Sequence, residues 1–362
     1  MSILLTLLVL GLLICIHEWG HFIACRMTKV KVEKFSIGFG PKVFSWKGQE
    51  TEYVLAAIPF GGFVKPQGEN LEELGEDYKP KKGDYLNASL FSRILIVVAG
   101  AAMNFVLAWF LFTAIFMVGK PTLTPVIGEF VEGYPAQVSE LKVGDEILSV
   151  NGNAISNWTE LTNEIINNET NQILLNVSRD DREKQVLIKA KVEEGQDVFG
   201  ETRTLNRIGI QPSGEYVTER FGFVDSIKNG SMLFLNTTAM TYKALWRLVT
   251  GRLSLKNLAG PIGIISITGK AAELGLVYLL QLTALISATL GIFNLLPFPA
   301  LDGGHLMFLV IEGIRRKPVS LNVQGRATQI GFLLLMVLMV VVMYNDLNNL
   351  QVFDKIKQVF TG

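Results

Sequence analysis

The sequence predicts an α-helical multi-span membrane protein with four transmembrane helices, a membrane-associated β-hairpin or sheet, and one extracytoplasmic α+β domain. Three observations predict it. Of 362 residues, 49% are hydrophobic and 18% charged, where soluble proteins carry about a quarter charged. Mean hydropathy is positive, at +0.35. The apolar residues gather in four runs close to the ~20 residues a bilayer crossing needs, and one intervening stretch alternates like a small soluble domain. Lys plus Arg and Asp plus Glu are both 33, so no basic surplus exists to neutralise nucleic-acid phosphates. Cys15 and Cys25 share one apolar run, and in a helix they stand about 15 Å apart, too far for a disulfide.

The spans are Ile3 to Ala24, Ile94 to Val118, Leu274 to Leu296 and Ala327 to Tyr344. The first is expected to be a retained anchor: Met1-Ser2 has no positive charge, and Cys25-Arg26-Met27-Thr28 suits a signal-peptide cleavage site poorly. Basic residues mark cytoplasmic loops. Arg26, Lys29, Lys31, Lys34 and Lys42 follow the first span, Lys79, Lys81, Lys82 and Arg93 precede the second, and Arg315, Arg316, Lys317 and Arg326 lie between the third and fourth. Both termini and the 120–270 region are then expected outside. The segments are 1–26, 27–92, 93–119, 120–214, 215–272, 273–305, 306–326, 327–345 and a tail, 346–362.

Between the first two spans, Phe35 to Gly40 and Glu52 to Ile58 read as short strands, with Pro59, Gly61, Gly62 and Pro66 breaking regularity. The run Glu69 to Asp84 is charged and reads as a solvated loop. In 120–214, alternating runs such as Val126 to Val131, Glu146 to Val150 and Ile173 to Val177 are separated by turn signals. Trp158 to Asn167 reads as a short helix with Asn157 as its N-cap. The order of these elements, with Tyr134-Pro135-Ala136, Leu141 to Leu148 and Val150-Asn151-Gly152, resembles a bacterial PDZ domain, which binds extended peptide at an open sheet edge. From Ser231 to Val249 the period is helical, with Met232, Leu235, Ala239, Tyr242, Trp246 and Val249 on one face. Such a helix suits the outer membrane interface or packing against the external domain, and periodicity does not separate the two.

The chemistry concentrates in His17-Glu18-Trp19-Gly20-His21. The chain has three histidines, so chance yields HExxH on the order of once in a thousand such sequences. On a helix, positions i and i+4 share a face, and both imidazoles can reach one metal ion. Glu18 is placed to act as general base toward a water on that metal. A purely structural pair of histidines competes poorly, because ionisable residues inside a span cost at least a couple of kcal/mol each. Zinc needs a third ligand and an open position. Asp302, within Asn294 to Gly304, is the best candidate. His17 lies about 24 Å into a helix entered from outside, and the third span also runs inward. Pro297 and Pro299 break the helix where a carboxylate must turn toward a polar cavity. His305 reads as an outer neighbour of the site or as a simple interfacial histidine, since a fourth protein ligand would close the site.

Together these features resemble the site-2 protease family of intramembrane zinc metalloproteases, in its bacterial RseP-like branch. His17 to His21 matches the family's first motif and Leu301-Asp302-Gly303 its second. Gly38-Phe39-Gly40, Ile58 to Lys65 and Ala259 to Ile264 add to the likeness. The resemblance implies that His17, His21 and Asp302 bind Zn2+, that Glu18 activates water, and that Asn294 helps hold substrate. It also implies that the Gly-rich strands of residues 33–58, with Gly38, Phe39 and Gly40, form a membrane-dipping hairpin receiving substrate as an extended strand. The implied substrates are single-span membrane proteins already trimmed outside, such as anti-sigma-factor-like proteins or remnant signal peptides. Two features depart from the family: one PDZ-like domain stands where relatives often carry two, and Ala101 replaces a proline after Gly100. The competing reading is a membrane-anchored PDZ peptide-binding scaffold with a non-catalytic metal site. A transporter is disfavoured by the lack of an internal repeat of spans.

Overall fold

The computed structural model describes residues 2–69, 79–196 and 202–350. The greater part of the expected charged loop, and the tail beyond Leu350, lie outside the described residues. The chain forms two compact units, Met1–Ile115 with Ser226–Gly362, and Phe116–Asp225.

Among the described residues, four helices are long and apolar enough to cross a membrane: α1 (Ser2–Met27), α2 (Leu90–Val118), α6 (Leu276–Leu295) and α8 (Leu321–Asn349). The protein is a multi-pass membrane protein. Each span buries one stripe at helical spacing and leaves the rest for lipid. In α1 the stripe is Thr6, Val9, Leu13, His17, Gly20 and Ala24, while Leu4, Leu8 and Leu12 are exposed. In α6 it is Thr283, Ala284, Ser287, Ala288 and Gly291. Small residues there let backbones approach, which is how helices associate where lipid is as apolar as leucine.

Between α1 and α2, β1 (Val32–Lys47) and β2 (Glu52–Pro66) are antiparallel. Both are longer than the sequence predicts. Phe35, Ser36 and Ile37 pair on one side with Tyr53, Val54 and Leu55, and on the other with Val64, Phe63 and Gly62. The two strands thus fold into four segments, in the order 62–66, 32–37, 52–56, 42–47. Gly38, Gly40 and Gly61 make the bends, with φ of +89°, +89° and +102°. Pro59 and Gly61 do not end the strand: β2 runs on through them, bends at Gly61 and pairs again across the sheet. Val43, Phe44 and Trp46 on the far segment are exposed, an apolar edge suited to lipid.

The second unit contains β3 (Lys120–Leu123), β4 (Ile127–Phe130), β5 (Glu146–Val150), β6 (Asn153–Ala154), α3 (Trp158–Ile166), β7 (Gln172–Arg179), β8 (Arg182–Lys189), β9 (Lys191–Gln196), β10 (Thr202–Arg207), β11 (Ile210–Pro212) and β12 (Tyr216–Glu219). Strands β6-β5-β7-β8 form an antiparallel sheet, and β4 pairs with β11, β9 with β10 and β3 with β12. Alternation places Ile147, Val150, Ile173, Leu175, Val177, Val186 and Ile188 in one core with Leu161 and Ile165 of α3. Asn157 caps α3, its side chain accepting from the Glu160 N–H at 3.0 Å, as its place before the helix predicts.

Helix α4 (Phe223–Val249) begins eight residues before the periodicity at Ser231 becomes clear. Leu233 and Phe234 pack on Phe112 and Ile115, while Met232, Leu235, Tyr242 and Trp246 are exposed. Helices α5 (Pro261–Leu274) and α7 (Asp302–Arg315) also belong to the first unit.

Candidate metal centre

The approach of α1 to α2 is set by glycine. A Cβ on Gly20 would stand 2.3 Å from the Ala99 carbonyl oxygen, and one on Gly100 would stand 2.3 Å from His21 Nε2 and 2.8 Å from His17 Cε1. The two helices can therefore close around the imidazoles only because these positions lack side chains. His17 is 8% exposed.

The carboxylate arrives from elsewhere. After α6 ends at Leu295, the chain turns through Leu296 to Leu301 and restarts as α7 at Asp302. Glycines allow the tight restart: a Cβ on Gly303 would meet the Leu296 carbonyl oxygen at 2.0 Å, and one on Gly304 the Phe298 carbonyl oxygen at 2.6 Å. Ala300, two residues before Asp302, holds φ at +110°, a region costly for a residue with a side chain. Such strain persists only where surrounding structure enforces it, and it clusters at functional sites.

His17 Nε2, His21 Nε2 and Asp302 Oδ2 converge. The two nitrogens are 3.1 Å apart, and the oxygen lies 3.0 Å from the first and 3.4 Å from the second. Zinc bonds of about 2.0–2.1 Å in a tetrahedron put neighbouring ligand atoms about 3.3–3.4 Å apart. Asp302 Oδ2 is buried and makes no hydrogen bond of proper geometry. The donor set, its spacing and this orphaned oxygen all fit a zinc ion. His21 Nδ1 lies 2.8 Å from the Ile96 carbonyl oxygen. A carbonyl only accepts, so Nδ1 carries the hydrogen and Nε2 keeps its lone pair.

Glu18 lines one cavity with His17, Asn104, Asn294, Ala300 and Asp302, of about 310 Å³. Its Oε2 accepts from the Val64 N–H at 3.0 Å. A Cβ on Gly62 would lie 3.3 Å from Glu18 Cγ. The sheet segment nearest Glu18 is therefore 62–66. Gly38, Phe39 and Gly40 form a bend, with the Phe39 ring stacked on Phe63. Asn294 Nδ2 stands 3.4 Å from His17 Nδ1. His305 stands outside the triad and lines a second cavity, of about 590 Å³, with the Arg93–Glu312 ion pair. Gly62 and Val64 lie in the Ile58 to Lys65 run that adds to the family likeness, but nothing in the sequence places either beside Glu18. Asn104 is the one strongly polar residue of the apolar run Ile94 to Val118, and that polarity is the signal that could have found it.

Comparison with known proteins decides the family. The profile of peptidase family M50 matches residues 5–338. The chain belongs to this family, the site-2 proteases. It is 33% identical to a zinc metalloprotease, RasP, of Geobacillus kaustophilus, across 96% of this chain and 97% of the relative. It is 28% identical to the regulator of sigma-W protease RasP of Bacillus subtilis, across 96% and 99%. This M50 peptidase is a zinc metalloprotease of the RseP-like bacterial branch, and its cofactor is Zn2+.

Proposed function

We propose that the chain cleaves single-span membrane proteins within the bilayer, with His17, His21 and Asp302 holding zinc and Glu18 as general base. One observation carries the reading: three ligand atoms from two distant parts of the chain lie 3.0–3.4 Å apart, and two of the residues that hold them, His17 and Asp302, line one cavity with Glu18. Zinc in that position supplies a Lewis acid that polarises a peptide carbonyl and acidifies water. Glu18 takes the proton of the attacking water and returns it to the leaving amine. The Val64 N–H holds one carboxylate oxygen, which leaves the other free for that transfer.

A transmembrane helix hides its peptide bonds in internal hydrogen bonds, so it must unwind to be cut. The segment 62–66 is an edge strand beside Glu18, and edge strands accept an extended partner. Substrate pairs there, with Asn294 on the cavity wall as a further contact and the Gly38-Phe39-Gly40 bend supporting the edge through Phe39 and Phe63.

The basic-residue pattern supports both termini and the 116–225 unit outside, with the site toward the cytoplasm. That unit has PDZ-like character: a groove of about 340 Å³ runs beside α3, lined by Tyr134, Trp158, Leu161, Ile165 and Ile208. It suits the end of an externally trimmed substrate. Anti-sigma-factor-like proteins are one substrate class, supported by the name of the Bacillus subtilis relative, and remnant signal peptides are another. Co-expression of a tagged single-span substrate with wild type and with Glu18→Gln tests the reading. Cleavage by wild type and none by the variant, with zinc retained, is expected; cleavage by both refutes the role of Glu18.

A further inference from the structure

We infer that Asn104 is a positioning residue for the metal centre, accepting the Nδ1 hydrogen of His17 and thereby fixing the ring that presents Nε2 to zinc. The inference rests on the reading of His17 as a ligand. It starts from the spacing of α2. Ile96, Gly100 and Asn104 follow one another at i, i+4 and i+8, on the stripe that α2 buries. His17 and His21 are spaced i, i+4 on α1. The Ile96 carbonyl oxygen meets His21 Nδ1 at 2.8 Å, Gly100 leaves room for both rings, and Asn104 Nδ2 meets His17 Nδ1 at 3.3 Å. One stripe of α2 therefore addresses both imidazoles from behind.

A ligating histidine needs its other nitrogen to carry hydrogen, and that hydrogen needs an acceptor. His21 has one in Ile96. For His17 the neighbours are the amides of Asn104 and Asn294. Asn104 is 1% exposed, and its Oδ1 is buried with no hydrogen-bond partner among the described residues. With Nδ2 toward the ring, His17 Nδ1 would have to be the lone pair, leaving the hydrogen on Nε2, the wrong tautomer for a ligand. A half-turn of the amide exchanges oxygen and nitrogen. Oδ1 then accepts from Nδ1–H, which satisfies both the buried oxygen and the ligand tautomer. Asn104 is itself held in place: its backbone carbonyl accepts from Ser287 Oγ of α6 at 2.8 Å. Asn294 is half-buried on the cavity wall, where its amide remains available to substrate.

The test measures zinc affinity of the purified full chain in micelles by competition with a chromogenic chelator, for wild type, His17→Ala, Asn104→Leu and Asn104→Asp. Outer-shell partners of ligating histidines are typically worth about 10–100-fold in affinity. Asn104→Leu is expected to weaken zinc by that factor and to lower kcat with KM little changed. Asn104→Asp, which still accepts from Nδ1–H, is expected to restore wild-type affinity. The cobalt-substituted Leu variant should also show altered d–d bands. Should leucine prevent folding, Asn104→Ala gives the same reading with a smaller side chain. Zinc bound equally by wild type and the apolar variants, but lost in His17→Ala, overturns the role of Asn104 and leaves the ligand assignment intact. Equal zinc in wild type and His17→Ala overturns both.

Discussion

Glu18 Oε2 on α1 accepts a hydrogen bond from the Val64 N–H of the β1–β2 sheet at 3.0 Å. This contact joins the residue proposed to move protons to the edge proposed to hold substrate, so the position of the sheet and the aim of the carboxylate are coupled.

The coupling makes Gly62 sensitive. A Cβ there would lie 2.7 Å from the Ser36 carbonyl oxygen and 3.3 Å from Glu18 Cγ, and the edge segment must shift to admit it. Displacements of about 1 Å can cost about 100-fold in rate. Gly62→Ala should therefore lower kcat about 10-fold or more while zinc content stays at one ion per chain. Cleavage assays paired with elemental analysis check both.

Gly100 predicts the converse. Its added Cβ would fall 2.3 Å from His21 Nε2, a candidate ligand atom. Gly100→Ala should lose most of its zinc together with its activity, as measured by metal analysis of the purified chain. A variant with full zinc and no activity would contradict the packing argument.

Asp346 near the end of α8 is 4% exposed. Its two oxygens accept from the Gly260 N–H at 3.0 Å and the Gly263 N–H at 2.8 Å, capping α5. A Cβ on either glycine would fall within 3 Å of that carboxylate, which explains the glycine spacing in Ala259 to Ile264. Asp346→Ala strands two backbone donors, at about 1–3 kcal/mol each. It should lower the thermal unfolding midpoint in micelles, and Asp346→Asn should recover part of the loss.

In the 116–225 unit, burial alone would raise the Asp145 carboxyl, but Arg179 Nε and Nη2, at 2.6 and 2.7 Å, override it and hold it below the usual carboxylate range. A depressed folded value contributes stability above the unfolded value of about 3.9, lost as pH falls through the folded one. Asp145→Asn should thus weaken hydrogen-exchange protection of residues 116–225 by about 2 kcal/mol at pH 7. The gap between variant and wild type should begin to narrow as pH falls below about 4 and close only once pH has passed the depressed folded value.

Much of the site was legible because its parts carry local signals. His17 and His21 share a helix face by spacing alone, and Asp302 follows from depth and the prolines before it. The sheet was less legible. Pro59 and Gly61 read as breakers, and nothing local reveals that the chain turns there and pairs again beside Ile37. Gly62 and Val64 acquire meaning only from Glu18, more than forty residues earlier. Asp346 is similarly opaque: a polar residue closing a span is ordinary until Gly260 and Gly263 are seen to need it. Asn104 was visible as a polar residue in an apolar helix, but its partner required the packing of α2 on α1.

The central claim is that two imidazoles and one distant carboxylate share a single zinc ion. Zinc-edge X-ray absorption on the purified chain, with Asp302→Ala alongside, tests it most directly. Wild type should show about one zinc per chain with only nitrogen and oxygen neighbours at about 2.0–2.1 Å, and the variant should lose the ion or one oxygen neighbour. An unchanged spectrum and zinc content in Asp302→Ala would contradict the account.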